Sequence, residues 1–293
     1  MNLRCLAIIG LCCLEAPGRA ATVLDPSDAA VTDQQYQDLG AAFPSVGQVS
    51  GPAFSGSGTY IGGRWVLTAG HIAFAKTSGT FSLGGSNYSI LRSITFPGWS
   101  LGSDANDIGL IELSSDVVGV TPALMFHLSD DMLLAGETTT WIGYGQGGTG
   151  RTGATGSPGT LRGFTNVIDG FGPTFGLVES SMFTDFDRPD GLKNSIATSS
   201  PFPTMFEGNV TPGDSGGGVF WGGGLVGVSS YRARLADDPS SNSDYGELSG
   251  ATRLSQFTDW VTSQTNIAAV PEPSVAGLLV VGLIGCVRRR RRG

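Results

Sequence analysis

Ser57–Leu67 reads SGTYIGGRWVL and runs straight into Thr68-Ala69-Gly70-His71. Two runs rich in β-branched and aromatic residues flank Gly62-Gly63, which is the pattern of a β-hairpin. The same alternation recurs outward along the chain. Ile108–Leu113 is a short apolar strand, and Thr138–Tyr144 (TTTWIGY) is another. Val219–Trp221 and Leu225–Ser230 read as a hairpin joined by Gly222-Gly223-Gly224. Gly145–Thr160, with glycine at 145, 147, 148, 150, 153, 156 and 159, reads as loop. Only from Leu254 does the period change: Leu254, Phe257 and Val261, with Trp260 beside them, predict an amphipathic helix ending before Pro271. No internal repeat interrupts this series. Many short strands and regular turns predict an all-β barrel or sandwich closed by one helix.

Composition agrees. The 293 residues are 40 % hydrophobic but only 14 % charged, and 46 are glycine. The chain can bury a core without staples, and its low charge suits strands and turns better than helices. Seven of the 17 basic residues lie at the ends: Arg4, Arg19 and the run Arg288–Arg292. Ten bases then face 23 acids between Ala21 and Ala269, so the body carries about −13. Such a surface argues against nucleic acid as a partner, since phosphate binding needs a basic face. Cys5, Cys12, Cys13 and Cys286 all lie in the terminal apolar stretches. A disulfide framework, a cysteine-ligated zinc site and thiol catalysis are therefore excluded for the body.

The ends read as addresses. Residues 1–20 combine Arg4, the apolar core Cys5–Leu14 and the small residues Gly18 and Ala20, which predicts a secretory signal cut after Ala20. Residues 21–42 are then an N-terminal lead. At the other end, Pro271-Glu272-Pro273 breaks the chain, Val275–Val287 is apolar and Arg288–Arg292 closes it. As a helix the apolar part spans roughly 20 Å, short of a ~30 Å hydrocarbon core. Its Arg cluster would stay on the cytoplasmic side. The order of parts in 264–293 resembles the PEP-CTERM sorting signal of Gram-negative bacteria, which an exosortase recognises and removes. That resemblance implies an exported protein, periplasmic, cell-surface or extracellular, with membrane contact through 275–292. The alternative is an ordinary tail anchor or a basic patch on anionic lipid.

Gly213-Asp214-Ser215-Gly216-Gly217 carries the chemistry. A nucleophilic serine needs a tight, exposed turn with backbone N–H groups aimed at the carbonyl oxygen, and glycines permit that turn. It also needs a base. Two histidines are available. His71 follows the apolar run Trp65-Val66-Leu67, whereas His127 sits in Met125-Phe126-His127-Leu128 and reads as a packed or rim residue. The base needs a carboxylate to fix its tautomer. Asp107 fits, because Asn106-Asp107 leads into the buried strand Ile108–Leu113. Asp104 competes but has no strand behind it. Gly143–Gly148 (GYGQGG) has the wrong spacing for a dinucleotide fingerprint, and no βαβ unit follows.

TAGH at 68–71, NDIGLIEL at 106–113 and GDSGG at 213–217, in that order, resemble the chymotrypsin-type (trypsin-like) serine endopeptidases. Thr140–Gly145 (TWIGYG), Leu225–Tyr231 (LVGVSSY) and Gly250–Val261 (GATRLSQFTDWV) are similar to that family's second-barrel opening strand, cleft strand and closing helix. The resemblance covers roughly 43–263. It implies two six-stranded-type β-barrels, about 43–125 and 138–250, with a C-terminal helix at about 252–266. It implies a hydrolase of protein or peptide substrates working without a cofactor. His71 is then general base and acid, Asp107 orients it, Ser215 attacks, and the N–H groups of Gly213 and Ser215 form the oxyanion hole.

The chain also departs from that pattern. Ile72 stands where many members have cysteine. Many members are activated by cleavage after Arg or Lys, and the freed amine pairs with the aspartate before the serine, here Asp214. No Arg or Lys lies between Ala21 and Phe43, so no trypsin-type propeptide cleavage is expected, and the partner of Asp214 stays open. Counting six back from Ser215 puts the neutral Asn209 at the pocket base, against a strict Lys/Arg preference; a small loop shift would bring in Glu207. Ser230 and Tyr231 match the lining of the cleft wall. Arg232 falls where the family often has Gly, and either narrows the cleft or favours acidic side chains. Asp185/Asp187/Asp190 and Asp237/Asp238/Asp244 are candidate calcium loops, although the second lacks the glycine of an EF-hand. The competing functions are a catalytically silent protease fold serving as a surface or matrix binding module, a matrix or envelope protein defined by its anchor, and an esterase.

Overall fold

The computed structural model describes residues 21–175, 178–234 and 241–271. Residues 1–20, the PEP-CTERM-like segment from 272 onward and Asp237 and Asp238 lie outside them.

The opening hairpin forms part of a closed six-stranded barrel. Its strands are β2 (Val46–Ser50), β3 (Gly56–Gly62), β4 (Trp65–Thr68), β5 (Thr80–Leu83), β6 (Ser86–Thr95) and β7 (Gly109–Leu113), paired in the order β2-β3-β4-β7-β6-β5. A bulge between Tyr60 and Gly62 shifts the hairpin register so that Gly62 pairs with Trp65. The turn is therefore Gly63-Arg64, one residue later than the sequence suggests. The strand residues Val49, Val66, Leu67, Phe81, Leu110 and Ile111 are all buried. Each fully buried aliphatic or aromatic side chain stabilises by roughly 1.5–3 kcal/mol, so such a core holds a barrel without disulfides. Ile72 joins this core. A Cβ on Gly56 would lie 2.8 Å from the Ile72 Cδ1, so an isoleucine and a glycine fill that space together.

The second half is a seven-stranded sheet. It contains β9 (Thr138–Gly143), β12 (Arg162–Val167), β13 (Gly170–Phe171), β14 (Ser181–Asp185), β16 (Gly218–Trp221), β17 (Gly224–Ala233) and β18 (Leu248–Arg253), in the order β12-β9-β16-β17-β18-β14-β13. It curls into a half-barrel rather than closing as the expected second six-stranded barrel. One edge strand, β13, is only two residues long. At the other edge, helix α1 (Asp33–Ala41) packs on β12, where a Cβ on Gly40 would lie 2.8 Å from the Arg162 backbone. A Thr165–Glu207 bridge occupies β12 as well.

Residues 21–42 are built into this body. Strand β1 (Thr22–Val23) lies between β10 (Gly148–Thr149) and β15 (Gly208–Asn209), and β10 continues to β11 (Gly153–Ala154). In α1, Tyr36 is fully buried and donates to the Glu207 carbonyl. Asp33 takes a two-point ion pair from buried Arg162, with both N–O distances 2.7 Å. The chain closes with a 3-10 turn, Leu254–Phe257, and helix α2 (Thr258–Thr265), whose Leu254, Phe257 and Val261 insert into the core shared by both halves. Asn266, in the left-handed region at φ 59°, ends the helix. Among the described residues no helix is long and apolar enough to cross a membrane. The mostly-β architecture, with its closed barrel, curled half-barrel and terminal helix, is chymotrypsin-like.

Candidate active site

The Gly213–Gly217 turn joins β15 to β16 and is anchored from the first barrel. Ser57 N–H donates to the Ser215 carbonyl at 2.8 Å, and Ser57 Oγ donates to the Gly213 carbonyl at 2.9 Å. Glycine is required at two places. Gly213 and Gly216 have φ of 103° and 88°, and a Cβ on Gly216 would fall 2.1 Å from Thr68 Oγ1. Gly216 N–H donates to the Ser229 carbonyl and Gly217 N–H to that of Asp214. The N–H groups of Gly213 and Ser215 meet no acceptor among the described residues. Both residues are half-buried, so these two N–H groups, one of them the serine's own, stay available to a bound acceptor. Ser215 Oγ itself donates to the Ser230 carbonyl at 3.4 Å.

His71 sits in the short turn of helix after β4. Its Nδ1 donates to Asp107 Oδ2 at 2.8 Å, and its backbone N–H donates to Asp107 Oδ1 at 2.8 Å. This tautomer leaves Nε2 as the basic nitrogen. Asp107 is 1 % exposed, whereas the His71 side chain keeps 27 % exposure. Two local features aim the carboxylate. Asn106 adopts φ 58°, a conformation Asn tolerates, and its N–H is held by Ser180 Oγ. Gly70 leaves room beside it, because a Cβ there would sit 3.0 Å from Asp107 Oδ1. Ser230 Oγ donates to Asp107 Oδ2 at 2.5 Å, and Thr252 Oγ1 donates to the Asp107 carbonyl. These bonds hold the Asp107 side chain in one orientation behind the imidazole.

A cavity of about 210 Å³ opens beside Ser215. Ser215, Ser230, Tyr231 and Arg232 line it, together with Val210–Pro212. Arg232 is its one charged side chain, and Nη1 donates to Ser243 Oγ at 3.1 Å. Asn209 is not part of the lining. It lies in β15, 1 % exposed, and accepts from Ser249 Oγ. Glu207 is also excluded from it: 1 % exposed, its two oxygens take the N–H groups of Asp187 and Thr204.

Asp214 turns away from the nucleophile and is 3 % exposed. Oδ1 accepts from Gly145 N–H, and Oδ2 from the N–H and Oγ1 of Thr211. The Ala21 backbone N–H is a further donor. Burial nonetheless pushes this carboxyl up to about 6. Among the described residues no cation forms an ion pair with it.

His127 is exposed, with Nδ1 2.8 Å from Thr258 Oγ1. Asp104 stands at the rim, its carboxyl raised by desolvation and by the charge of Asp107. In the first calcium candidate, Asp185 accepts from the N–H groups of Ser195 and Ile196, while Asp190 pairs with Arg188. Among the described residues no group of three or more His, Cys, Asp or Glu is arranged to hold a metal ion.

Sequence reading missed three participants. Ser57 carries no motif, and its role depends on a contact 158 positions away. Ser230 reads as lining, yet its hydroxyl also holds Asp107. Phe54 sets its ring edge-on to His71 at 6.3 Å, and buried Lys76 fixes its carbonyl at 2.5 Å. Gly56 beside Ser57 was the only available hint, as a place of close backbone approach.

Residues 35–169 match the Trypsin family model, a stretch that holds His71 and Asp107 and stops before Ser215. No curated protein matches the chain. The match and the architecture support a chymotrypsin-type serine peptidase.

Proposed function

We propose that this chain is an exported serine endopeptidase that cuts peptide bonds through an acyl-enzyme. The observation that supports this reading is the chain of contacts from the His71 imidazole to Asp107, from Asp107 to the Ser230 hydroxyl and from the Ser230 carbonyl to Ser215 Oγ, beside Gly213 and Ser215 N–H groups that meet no acceptor among the described residues. Ser215 Oγ attacks the peptide carbonyl while His71 Nε2 takes its proton. The C–N bond then breaks as His71 returns that proton to the leaving amine. Water, deprotonated by the same nitrogen, splits the ester and restores Ser215. Gly213 and Ser215 N–H groups stabilise the oxyanion at each step, and Asp107 stabilises the imidazolium.

Residues 1–20 support export, and the order of parts in 264–293 supports handling by an exosortase-type enzyme. The test is a fluorophosphonate probe on the folded protein, followed by mass spectrometry. A label on Ser215 that disappears in His71→Ala is expected. Folded protein without a label, or Ser215→Ala with full turnover, overturns the reading and favours a binding module.

A further inference from the structure

Lys76 is a buried cation that the acyl chemistry does not use. It is 1 % exposed and enters no ion pair among the described residues. Burial alone pushes its ammonium below the usual lysine range. A lysine is almost never buried without a carboxylate, because its charge loses its hydration. The backbone here is fixed: the Lys76 N–H donates to the Ala73 carbonyl, and the Lys76 carbonyl accepts from Ser93 Oγ at 3.0 Å. Among the described residues Nζ donates to one acceptor, the Phe54 carbonyl, at 2.5 Å.

That bond ties down a loop that would not keep its shape unaided. Residues 51–55 join β2 to β3, and Ala53 stands at φ 73°, the left-handed region that alanine disfavours. Lys76 grips the loop at Phe54, and Ser57 grips the chain again just beyond it, through the Gly213 and Ser215 carbonyls. Close to the first tie the Phe54 ring stands edge-on to the His71 imidazole, with centroids 6.3 Å apart and planes at 87°. Aromatic rings in that arrangement attract and orient one another. Asp107 holds the imidazole at Nδ1, yet 27 % of the His71 side chain stays exposed, so the ring has room to swing. No cysteine lies among the described residues, so no disulfide shares the task of holding this loop.

We propose that Lys76 is a positioning residue: by holding the Phe54 carbonyl it sets the Phe54 ring against His71, and that ring keeps the imidazole turned for proton transfer with Ser215. The inference rests on the peptidase reading for its kinetic readout only. It gives Phe54 the task of orienting the base rather than binding substrate. It also explains why a cation is kept in a place where an apolar side chain would cost less.

The experiment compares the exported protein with Lys76→Met, Phe54→Ala and the double variant. Methionine keeps an apolar stem and removes the donor. Exchanging a buried charge for an apolar group of similar volume leaves stability equal or higher, so Tm should not fall in Lys76→Met. In each single variant kcat should drop by about 10- to 100-fold with KM unchanged, the loss expected when a catalytic group is slightly misplaced. Fluorophosphonate labelling of Ser215 should slow in step. Because Lys76 acts through the ring, the double variant should lose no more than the worse single one. By NMR, the His71 Nδ1 proton, identified by its absence in His71→Ala, should exchange with water faster in each variant than in the unsubstituted protein. An unchanged kcat in either single variant, a loss confined to KM, or losses that multiply in the double variant would each overturn the proposal. If Lys76→Met does not fold, Phe54→Ala, at a residue 39 % exposed, decides by the same measures. Should the unsubstituted protein turn over no peptide and take no label, the peptidase reading fails, and the proton exchange still decides: equal rates in all variants overturn the positioning role.

Discussion

Ser230 Oγ donates to Asp107 Oδ2 at 2.5 Å, so the carboxylate bonded to His71 is itself held by the strand that walls the cavity beside Ser215. A hydrogen bond to a charged group contributes about 1.5–3 kcal/mol. Ser230→Ala should therefore lower kcat/KM by roughly 10- to 100-fold, taking ~1.4 kcal/mol per decade. Loss should fall on kcat, because imidazole orientation matters in the transition state. Peptide kinetics alongside thermal unfolding checks this; an unchanged kcat with a lowered Tm would make the bond merely structural.

The Asp33–Arg162 pair fastens helix α1 to the edge of the second sheet. Arg162 is 2 % exposed, its Nη1 has no partner among the described residues, and Asp33 supplies acceptors at 2.7 Å for Nε and Nη2. Removing one member of a buried pair strands the other. Asp33→Ala should destabilise the protein by about 3 kcal/mol, read from the urea midpoint. A shift too small to measure would mean that α1 is not integral to the fold.

Local patterns announced most of the first barrel. The β3–β4 hairpin, the Ile108–Leu113 core strand and the terminal helix all follow from periodicity, because each is decided by residues near in sequence. The hairpin turn moved by one residue because a bulge depends on the partner strand. Insertion of residues 21–23 between β10 and β15 was illegible for the same reason: two-residue strands have no period to read. At the site, His71, Asp107 and Ser215 sit in motifs, whereas Ser57 and the second role of Ser230 arise only where the two halves meet. Counting back from Ser215 put Asn209 in the cavity because it ignored the chain's turn into β15, which points that side chain at Ser249.

Buried acids near the second sheet set the pH dependence of stability. Desolvation and the charge of Asp185 raise Asp169 to about 8 and Asp187 to about 7, and burial holds Glu207 well above the usual range. A raised acid binds its proton more tightly folded than unfolded, so its contribution is complete at low pH and is lost as pH rises through the folded value. Stability should fall between about pH 4, where free carboxylates titrate, and about pH 8. The urea midpoint should be lower at pH 8.5 than at pH 5.5, and Asp187→Asn should reduce that difference. An equal or higher midpoint at pH 8.5 would show that these carboxyls are not buried as acids.

Arg232 should decide which side chain enters the cavity beside Ser215. The lining otherwise consists of small, polar or apolar groups, and Glu207, the acid that a loop shift would have brought in, instead takes the N–H groups of Asp187 and Thr204. Among the described residues Arg232 donates only through Nη1, to Ser243 Oγ, and its guanidinium fork has further donors that suit a carboxylate. A cation at the wall of a partly enclosed site favours an acidic side chain and repels lysine, with an effect that salt weakens. Peptides with Glu or Asp before the cleaved bond should be preferred over Lys by about tenfold or more, a difference of ~1.4 kcal/mol. Arg232→Glu should reverse that order, and Arg232→Ala should flatten it, both with Ser215 still labelled by the fluorophosphonate probe. An unchanged ranking in Arg232→Glu would mean that the guanidinium only narrows the cleft, and that shape selects the substrate.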